Sequence, residues 1–243
     1  MYLIIDVGNT RVKVAVFEID TLKEVFVFEK MNIISELEKI ISKFPISNSI
    51  VSSVATLSDD KKAKIVALLD PIFLTSDTKV PFKNAYKTPK TLGVDRIALA
   101  SAAVKKYPQK DVLVIDAGTC ITYEMISKEK EYLGGAISPG ITMRYKALHV
   151  FTSKLPLLEP NEVESFIGID TNSSIHSGVI NGITNEIDGI IKQYQRKYKD
   201  LTVVLTGGDT YFLSKQLKSV IFAQPNFVLE GLHTILTHNL AND

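Results

Sequence analysis

Ile4-Ile5-Asp6-Val7-Gly8-Asn9-Thr10 and Val114-Ile115-Asp116-Ala117-Gly118-Thr119 repeat one pattern within a single chain. Each is an apolar run, an aspartate, a small apolar residue, a glycine and a polar turn. Each leads into another β-rich stretch. After the first, Val12, Val14 and Val16 alternate with Lys13 and Ala15; after the second come Ile121 to Ile126 and then Tyr132 to Ile137. Strand, tight turn, strand reads as a hairpin. Its recurrence 110 residues later is an internal repeat. The repeat predicts an α/β chain of two similar domains, 1–110 and 111–243, with the boundary near Gln109 to Asp111. The last helix is free to pack back on the first domain.

Working outward, Val25 to Phe28 reads as a third strand and Ile50 to Val54 as a fourth. Helical spacing runs from Ile33 to Phe44 and stops at Pro45. Ser58 is placed to cap a helix through Leu69. Thr75 to Thr91, rich in Lys, Thr and Pro, reads as a long loop. Gly93 opens a helix whose Ile97, Ala98, Ala102 and Val104 favour one side. In the second half, Ile141 to Val150 and the series Ile180, Ile183, Ile187, Ile190 and Tyr194 have helical spacing. Val203 to Leu205 is a strand ending in Thr206-Gly207-Gly208-Asp209, and Phe227 to Leu240 is a closing helix.

Composition removes several classes of function. The 243 residues carry 28 Lys+Arg against 27 Asp+Glu, a formal net charge of +1. Non-specific nucleic-acid binding rests on neutralising phosphates, so a near-neutral chain is not expected to take a nucleic-acid partner. A lone cysteine, Cys120, excludes an intrachain disulfide. No apolar run approaches the roughly 18 residues that suggest a membrane span. Met1 to Asp6 has no basic stretch and meets a carboxylate early, unlike a signal peptide. The expectation is a cytoplasmic protein without a membrane partner. His149, His176, His233 and His238 show no metal-ligand spacing.

Asp6 to Lys13 brings a carboxylate to the lip of a glycine turn. Backbone N–H groups of such a turn can approach phosphate, with Thr10 as a donor and Lys13 as positive charge. A carboxylate beside polyphosphate works through a divalent cation, directly or by water. Read alone, the same residues suit a plain hairpin with a polar turn. Asp116-Ala117-Gly118-Thr119, with Thr122 beyond it, supplies a second turn of the same kind. Thr206-Gly207-Gly208 also permits close approach to a nucleotide. In Leu92-Gly93-Val94-Asp95-Arg96 a carboxylate and a guanidinium stand together at a helix start. Aspartate can accept the proton of an alcohol being phosphorylated, and arginine can grip a carboxylate with two bonds. An ordinary helix start with an acidic first turn fits them as well. Gly134-Gly135 through Ser138-Pro139-Gly140 leads tightly into Ile141. No Walker A or G-x-G-x-x-G sequence is present, so a nucleotide needs another fold to hold it.

Taken in order, these segments resemble the type III pantothenate kinases of the acetate and sugar kinase/Hsp70/actin superfamily. Asp6 to Lys13 is similar to the first phosphate motif, Gly93-Val94-Asp95-Arg96 to the G-x-D-R signature, and Asp116 to Thr119 with Thr122 to the second phosphate motif. Gly134 to Gly140 is similar to the G-G-x-I-x-P-G segment; Leu155-Pro156, Gly168, Thr171, Ser177-Gly178 and Thr206-Gly207-Gly208 continue the series. Cys120 stands where a small residue such as alanine is usual, and Glu159 to Glu164 matches least.

The resemblance implies two ribonuclease H-like domains with a cleft between them. It implies transfer of phosphate from ATP to pantothenate, the first step of coenzyme A synthesis. Cofactors would be Mg2+ or another divalent cation and a monovalent cation, K+ or NH4+. Family members are homodimers with pantothenate near the subunit interface. By residue, Asp95 would be the general base, and Arg96 would bind the pantothenate carboxylate in a pocket shared with Tyr86, Gly93 and Thr171. Asp6 would serve the divalent metal through phosphate or water, and Asp116 the monovalent cation. Gly8, Asn9, Thr10, Lys13, Gly118, Thr119, Thr206, Gly207 and Gly208 would contact ATP. Two alternatives remain at this point: a kinase for another small hydroxy compound, and a regulatory accessory factor of the same fold.

Overall fold

A computed structural model describes residues 1–54, 57–163 and 165–242. Its elements run β1 (Tyr2–Val7), β2 (Val12–Glu18), β3 (Thr21–Phe28), α1 (Ile33–Lys43), β4 (Asn48–Ser53), α2 (Asp59–Leu69), β5 (Ile72–Phe73), β6 (Lys83–Asn84) and α3 (Val94–Lys106). There follow β7 (Val112–Ala117), β8 (Cys120–Ile126), β9 (Glu131–Pro139), α4 (Ile141–Val150), α5 (Thr171–Lys197), β10 (Thr202–Thr206), α6 (Thr210–Ser214), β11 (Phe222–Ala223) and α7 (Phe227–Leu240). Two compact units result. The first holds Met1–Pro108, Lys130–Tyr132 and Asn226–Asp243; the second holds Gln109–Glu129 and Leu133–Pro225.

In the first unit the strand order is β3-β2-β1-β4-β5. β1 to β3 form an antiparallel meander, whereas β1, β4 and β5 are parallel. One sheet face carries Leu3, Ile5, Val14 and Val16 against Ile33, Leu37 and Ile40 of α1 and Ile65 of α2, all buried. Each such side chain contributes about 1.5–3 kcal/mol by leaving water. Ser58 caps α2 by accepting the Lys61 N–H. α3 packs against α7. Gly231 allows the close approach, because a Cβ there would lie 1.9 Å from the Ala98 carbonyl oxygen.

The second unit repeats the scheme. β10 and β11 run parallel beside β7, β8 returns antiparallel to β7, and β9 follows β8 in the order. Leu113, Ile115, Tyr123, Val203 and Leu205 of the sheet bury against Ile180, Ile183, Ile187 and Ile191 of α5. A capping box starts α5: Asp170 accepts the Ser173 N–H, and Ser173 Oγ accepts the Asp170 N–H. No helix of the described residues is long and apolar enough to cross a membrane.

Three elements differ from the sequence expectation. Thr75 to Thr91 is not all loop, since β6 pairs with Glu131 and Tyr132 and a 3-10 turn covers Pro89–Thr91. α3 is buried along Arg96 to Val104 rather than on one side, because α7 covers what a surface helix would expose. β3 begins at Thr21, four residues before Val25; its alternating exposure at the sheet edge admits the polar Lys23 and Glu24.

Candidate active site

The first turn is built as a strand end that delivers a carboxylate. Asp6 is opposite Lys13 in the antiparallel pair and opposite Ser52 in the parallel pair. The Gly8 N–H donates to the Arg11 carbonyl at 3.1 Å and closes the turn. Asn9 and Thr10 are exposed at its tip. The Lys30 ammonium donates to the Asn9 carbonyl from outside. Asp6 as a residue is half-buried, and its carboxyl is largely enclosed by protein. Burial, and then the charge of Asp95, push its pKa up to about 6, while Lys13 and Ser52 counteract them. Ser52 Oγ is buried and makes no hydrogen bond of normal geometry.

Asp95 therefore lies within electrostatic reach of Asp6, although 89 residues separate them. It occupies the first turn of α3, where the exposed N–H groups favour negative charge. Its Oδ1 accepts the Arg96 N–H at 2.9 Å. Gly93 makes room for this fold-back: a Cβ there would sit 2.4 Å from Asp95 Oδ1. Arg96 is only 7% exposed. Its guanidinium lies 5.5 Å from the Tyr86 ring centroid and 6.0 Å from that of Tyr132, within cation–π range. Tyr86 is itself fixed by its N–H donating to Asn84 Oδ1 at 3.0 Å. The first unit thus gathers two carboxylates, a lysine and an aromatic-flanked arginine.

In the second unit Asp116 occupies the same place on β7. Its register neighbours are Thr206 on β10 and Thr122 on β8. Both threonine hydroxyls are buried without a hydrogen-bond partner. With Ser52, all the unpartnered buried side-chain atoms found among the described residues flank the two repeated aspartates. A buried orphan hydroxyl is costly and calls for an explanation such as a bound ion or water. The Gly118 N–H donates to the Cys120 carbonyl at 2.9 Å, while Thr119 is exposed. Gly207 has φ +97°, and a Cβ there would lie 2.2 Å from the Ala117 carbonyl oxygen and 2.4 Å from Asp116 Oδ1. Only glycine allows the third turn to fold against the second. Gly208 beside it is exposed. Burial raises the pKa of Asp209, whose N–H donates to the Ala117 carbonyl. Cys120 is a half-buried free thiol.

Thr171, the first residue of α5, is exposed and lines a groove of about 940 Å³ between α4 and α5. Leu148, Phe151, Leu155, Ile175 and Val179 make the groove apolar, and Arg144 adds charge. Phe151 is 85% exposed, and Phe166 and Ile169 nearby are 78% and 91% exposed.

Sequence reasoning missed Ser52 and Tyr132. Ser52 ends a run of buried strand residues, and only the pairing register shows it beside Asp6. Tyr132 joins Arg96 because β9 begins against β6. Among the described residues no group of three or more His, Cys, Asp or Glu is gathered as a metal cluster. A divalent ion here would take one protein carboxylate, Asp6, and draw its other ligands from phosphate and water.

The type III pantothenate kinase family profile matches residues 2–193. A type III pantothenate kinase of Flavobacterium johnsoniae is 47% identical, with both chains covered completely. That of Christiangramia forsetii is 51% identical over 98% of this chain and 99% of its own. Among solved structures, a putative Baf family transcriptional activator from Campylobacter jejuni superposes with a TM-score of 0.64 at 23% identity, covering 98% of this chain and 99% of the other. That likeness is one of fold.

Proposed function

This chain belongs to the type III pantothenate kinase family, and from that premise we propose how its residues phosphorylate pantothenate with ATP. The observation that carries the reading is the cluster at the start of α3. Asp95 stands within electrostatic reach of Asp6, and next to it Arg96 is buried against Tyr86. A substrate with a carboxylate at one end and a primary hydroxyl at the other suits that pair.

The Arg96 fork holds the pantothenate carboxylate, with Tyr86 beside it and Gly93 keeping the approach open; Thr171 is the pantothenate residue proposed for the second unit. Asp95 accepts the proton of the primary hydroxyl. The alcohol oxygen then attacks the γ-phosphorus in line, the bond to the bridging oxygen breaks, and ADP leaves with the electron pair. In the first unit Gly8, Asn9, Thr10 and Lys13 are the proposed phosphate contacts; in the second unit they are Gly118 and Thr119. Thr206, Gly207 and Gly208 receive the rest of the nucleotide. Mg2+ or another divalent ion would supply charge neutralisation for the phosphates of ATP. Asp6 is the carboxylate that would hold it, directly or through water. Positioning and fixed charge supply most of the acceleration in such a site.

A monovalent cation, K+ or NH4+, fits beside Asp116. The support is the pair of buried, unpartnered hydroxyls of Thr122 and Thr206 at the same register. Hard oxygen donors around one carboxylate suit such an ion. The chain acts as a homodimer in the cytoplasm. The exposed Phe151, Phe166 and Ile169 beside the apolar groove support a second copy as the cover.

The test is ADP release measured with pantothenate, glucose, N-acetylglucosamine and glycerol. Pantothenate alone should support turnover. Turnover with a sugar and not with pantothenate would assign the chain to another kinase of the superfamily. Promoter DNA binding without any ATP-dependent activity would point instead to a regulatory factor.

A further inference from the structure

One carboxylate in the second unit fastens three elements at once. Glu186, midway along α5, accepts hydrogen bonds from Tyr123 Oη of β8 at 3.0 Å, from Ser138 Oγ of β9 at 2.6 Å and from Arg144 Nη2 of α4 at 2.5 Å. Arg144 Nε donates in addition to the Pro139 carbonyl at 2.9 Å. Burial pushes the Glu186 pKa up, yet the bonds from Ser138 and Arg144 outweigh it and leave the carboxyl below its ordinary value. Ionised, Glu186 can accept from all three donors.

The corner held in this way rests directly on the second phosphate turn. The Gly140 N–H donates to the Thr119 carbonyl at 3.1 Å. A Cβ at Gly140 would stand 2.1 Å from the Gly118 carbonyl oxygen and 2.6 Å from that of Thr119. Glu186 thus holds Ser138 and, through Arg144, Pro139, and the residue after them braces the turn. The side chains of Glu186 and Arg144 are 27% and 21% exposed, so the carboxylate and guanidinium form a polar brace at the edge of the core to which Tyr123 belongs.

We propose that Glu186 is a positioning residue for the Gly118–Thr119 turn, acting through Ser138, Arg144 and Gly140. The catalytic consequence rests on the reading that this turn contacts the phosphates of ATP. Loss of the brace lets the turn sample misplaced positions, and small misplacements weaken a preorganised site steeply.

The experiment combines local hydrogen exchange with steady-state kinetics on full-length Glu186→Ala and Glu186→Gln. For Glu186→Ala, backbone exchange over residues 116–122 should rise about tenfold, and the ATP KM should rise about tenfold with the pantothenate KM within about twofold. Glu186→Gln keeps an acceptor for Tyr123 and Ser138 and should recover part of both effects. Unchanged exchange at the turn in folded Glu186→Ala overturns the proposal. So does an equal rise of both KM values with a general increase in exchange, which marks a global structural role. Faster exchange at the turn with an unchanged ATP KM upholds the positioning role and instead rejects the phosphate reading. If Glu186→Ala does not fold, Ser138→Ala removes one donor only. It should show the same split at smaller size, and no local change there overturns the proposal.

Discussion

Replacing Asp6 by asparagine should make this protein more stable while destroying its activity. The carboxyl has a pKa of about 6, against 3.8 for an unperturbed aspartate. The difference, about 2 units, corresponds to about 3 kcal/mol of disfavoured ionisation. Because the residue is half-buried rather than sealed in the core, we take about 2 kcal/mol. The sign follows from proton uptake. Between pH 3.8 and about 6 the folded state binds the proton more readily than the unfolded chain does. Stability therefore falls as pH rises through that window, and the full cost persists above it. Below 3.8 both states are protonated and the cost is absent. Asparagine keeps the shape and carries no charge. Urea unfolding without nucleotide should show the variant more stable by about 2 kcal/mol near pH 7.5, with the gain shrinking through pH 6 to 4 and gone below about pH 4. ADP release should fall to background, since a neutral amide cannot serve the metal–phosphate unit. A gain of equal size at both ends of the pH range would show a packing effect and refute the charge argument; no gain at neutral pH would refute it as well.

Arg96→Lys should raise the pantothenate KM roughly tenfold and spare the ATP KM, because an ammonium cannot reproduce the planar fork between two tyrosines; equal shifts in both would contradict the assignment. Gly207→Ala should lower stability by about 2 kcal/mol or more in thermal melts, as it forces a side chain into φ +97° and onto the Ala117 carbonyl. Thr206→Val removes a buried hydroxyl that has no partner, so stability should hold or rise. Activation by potassium should drop in the same variant, measured as ADP release with and without the salt. Full activation there would remove Thr206 from the cation site.

The repeat was readable because it rests on local chemistry: a period-two apolar strand, an aspartate and a glycine turn. Those rules fix Asp6 and Asp116 at strand ends without reference to the rest of the chain. Local rules also mark Ser58 as the cap of α2 and Phe227 to Leu240 as a helix. What they miss depends on pairing across the chain. Asp95 reaches Asp6 only once α3 is seated beside β4. α3 read as one-sided because nothing in its own spacing announces that α7 returns from the far end of the chain to cover it. Ser52, Thr122 and Thr206 are ordinary strand residues until the register sets each beside an aspartate. The candidate site residues rest on ordered motifs and family resemblance; that Asp95 acts electrostatically on Asp6 is visible only in the fold.

We propose that Asp95, at the head of α3 and within electrostatic reach of Asp6, takes the proton from pantothenate. The most direct test is the kcat of Asp95→Asn, by ADP release, alongside the ATP affinity of the same protein. The kcat should be lower by about 10²-fold to 10⁴-fold, with ATP affinity kept within about threefold. Turnover equal to the unsubstituted protein would contradict it.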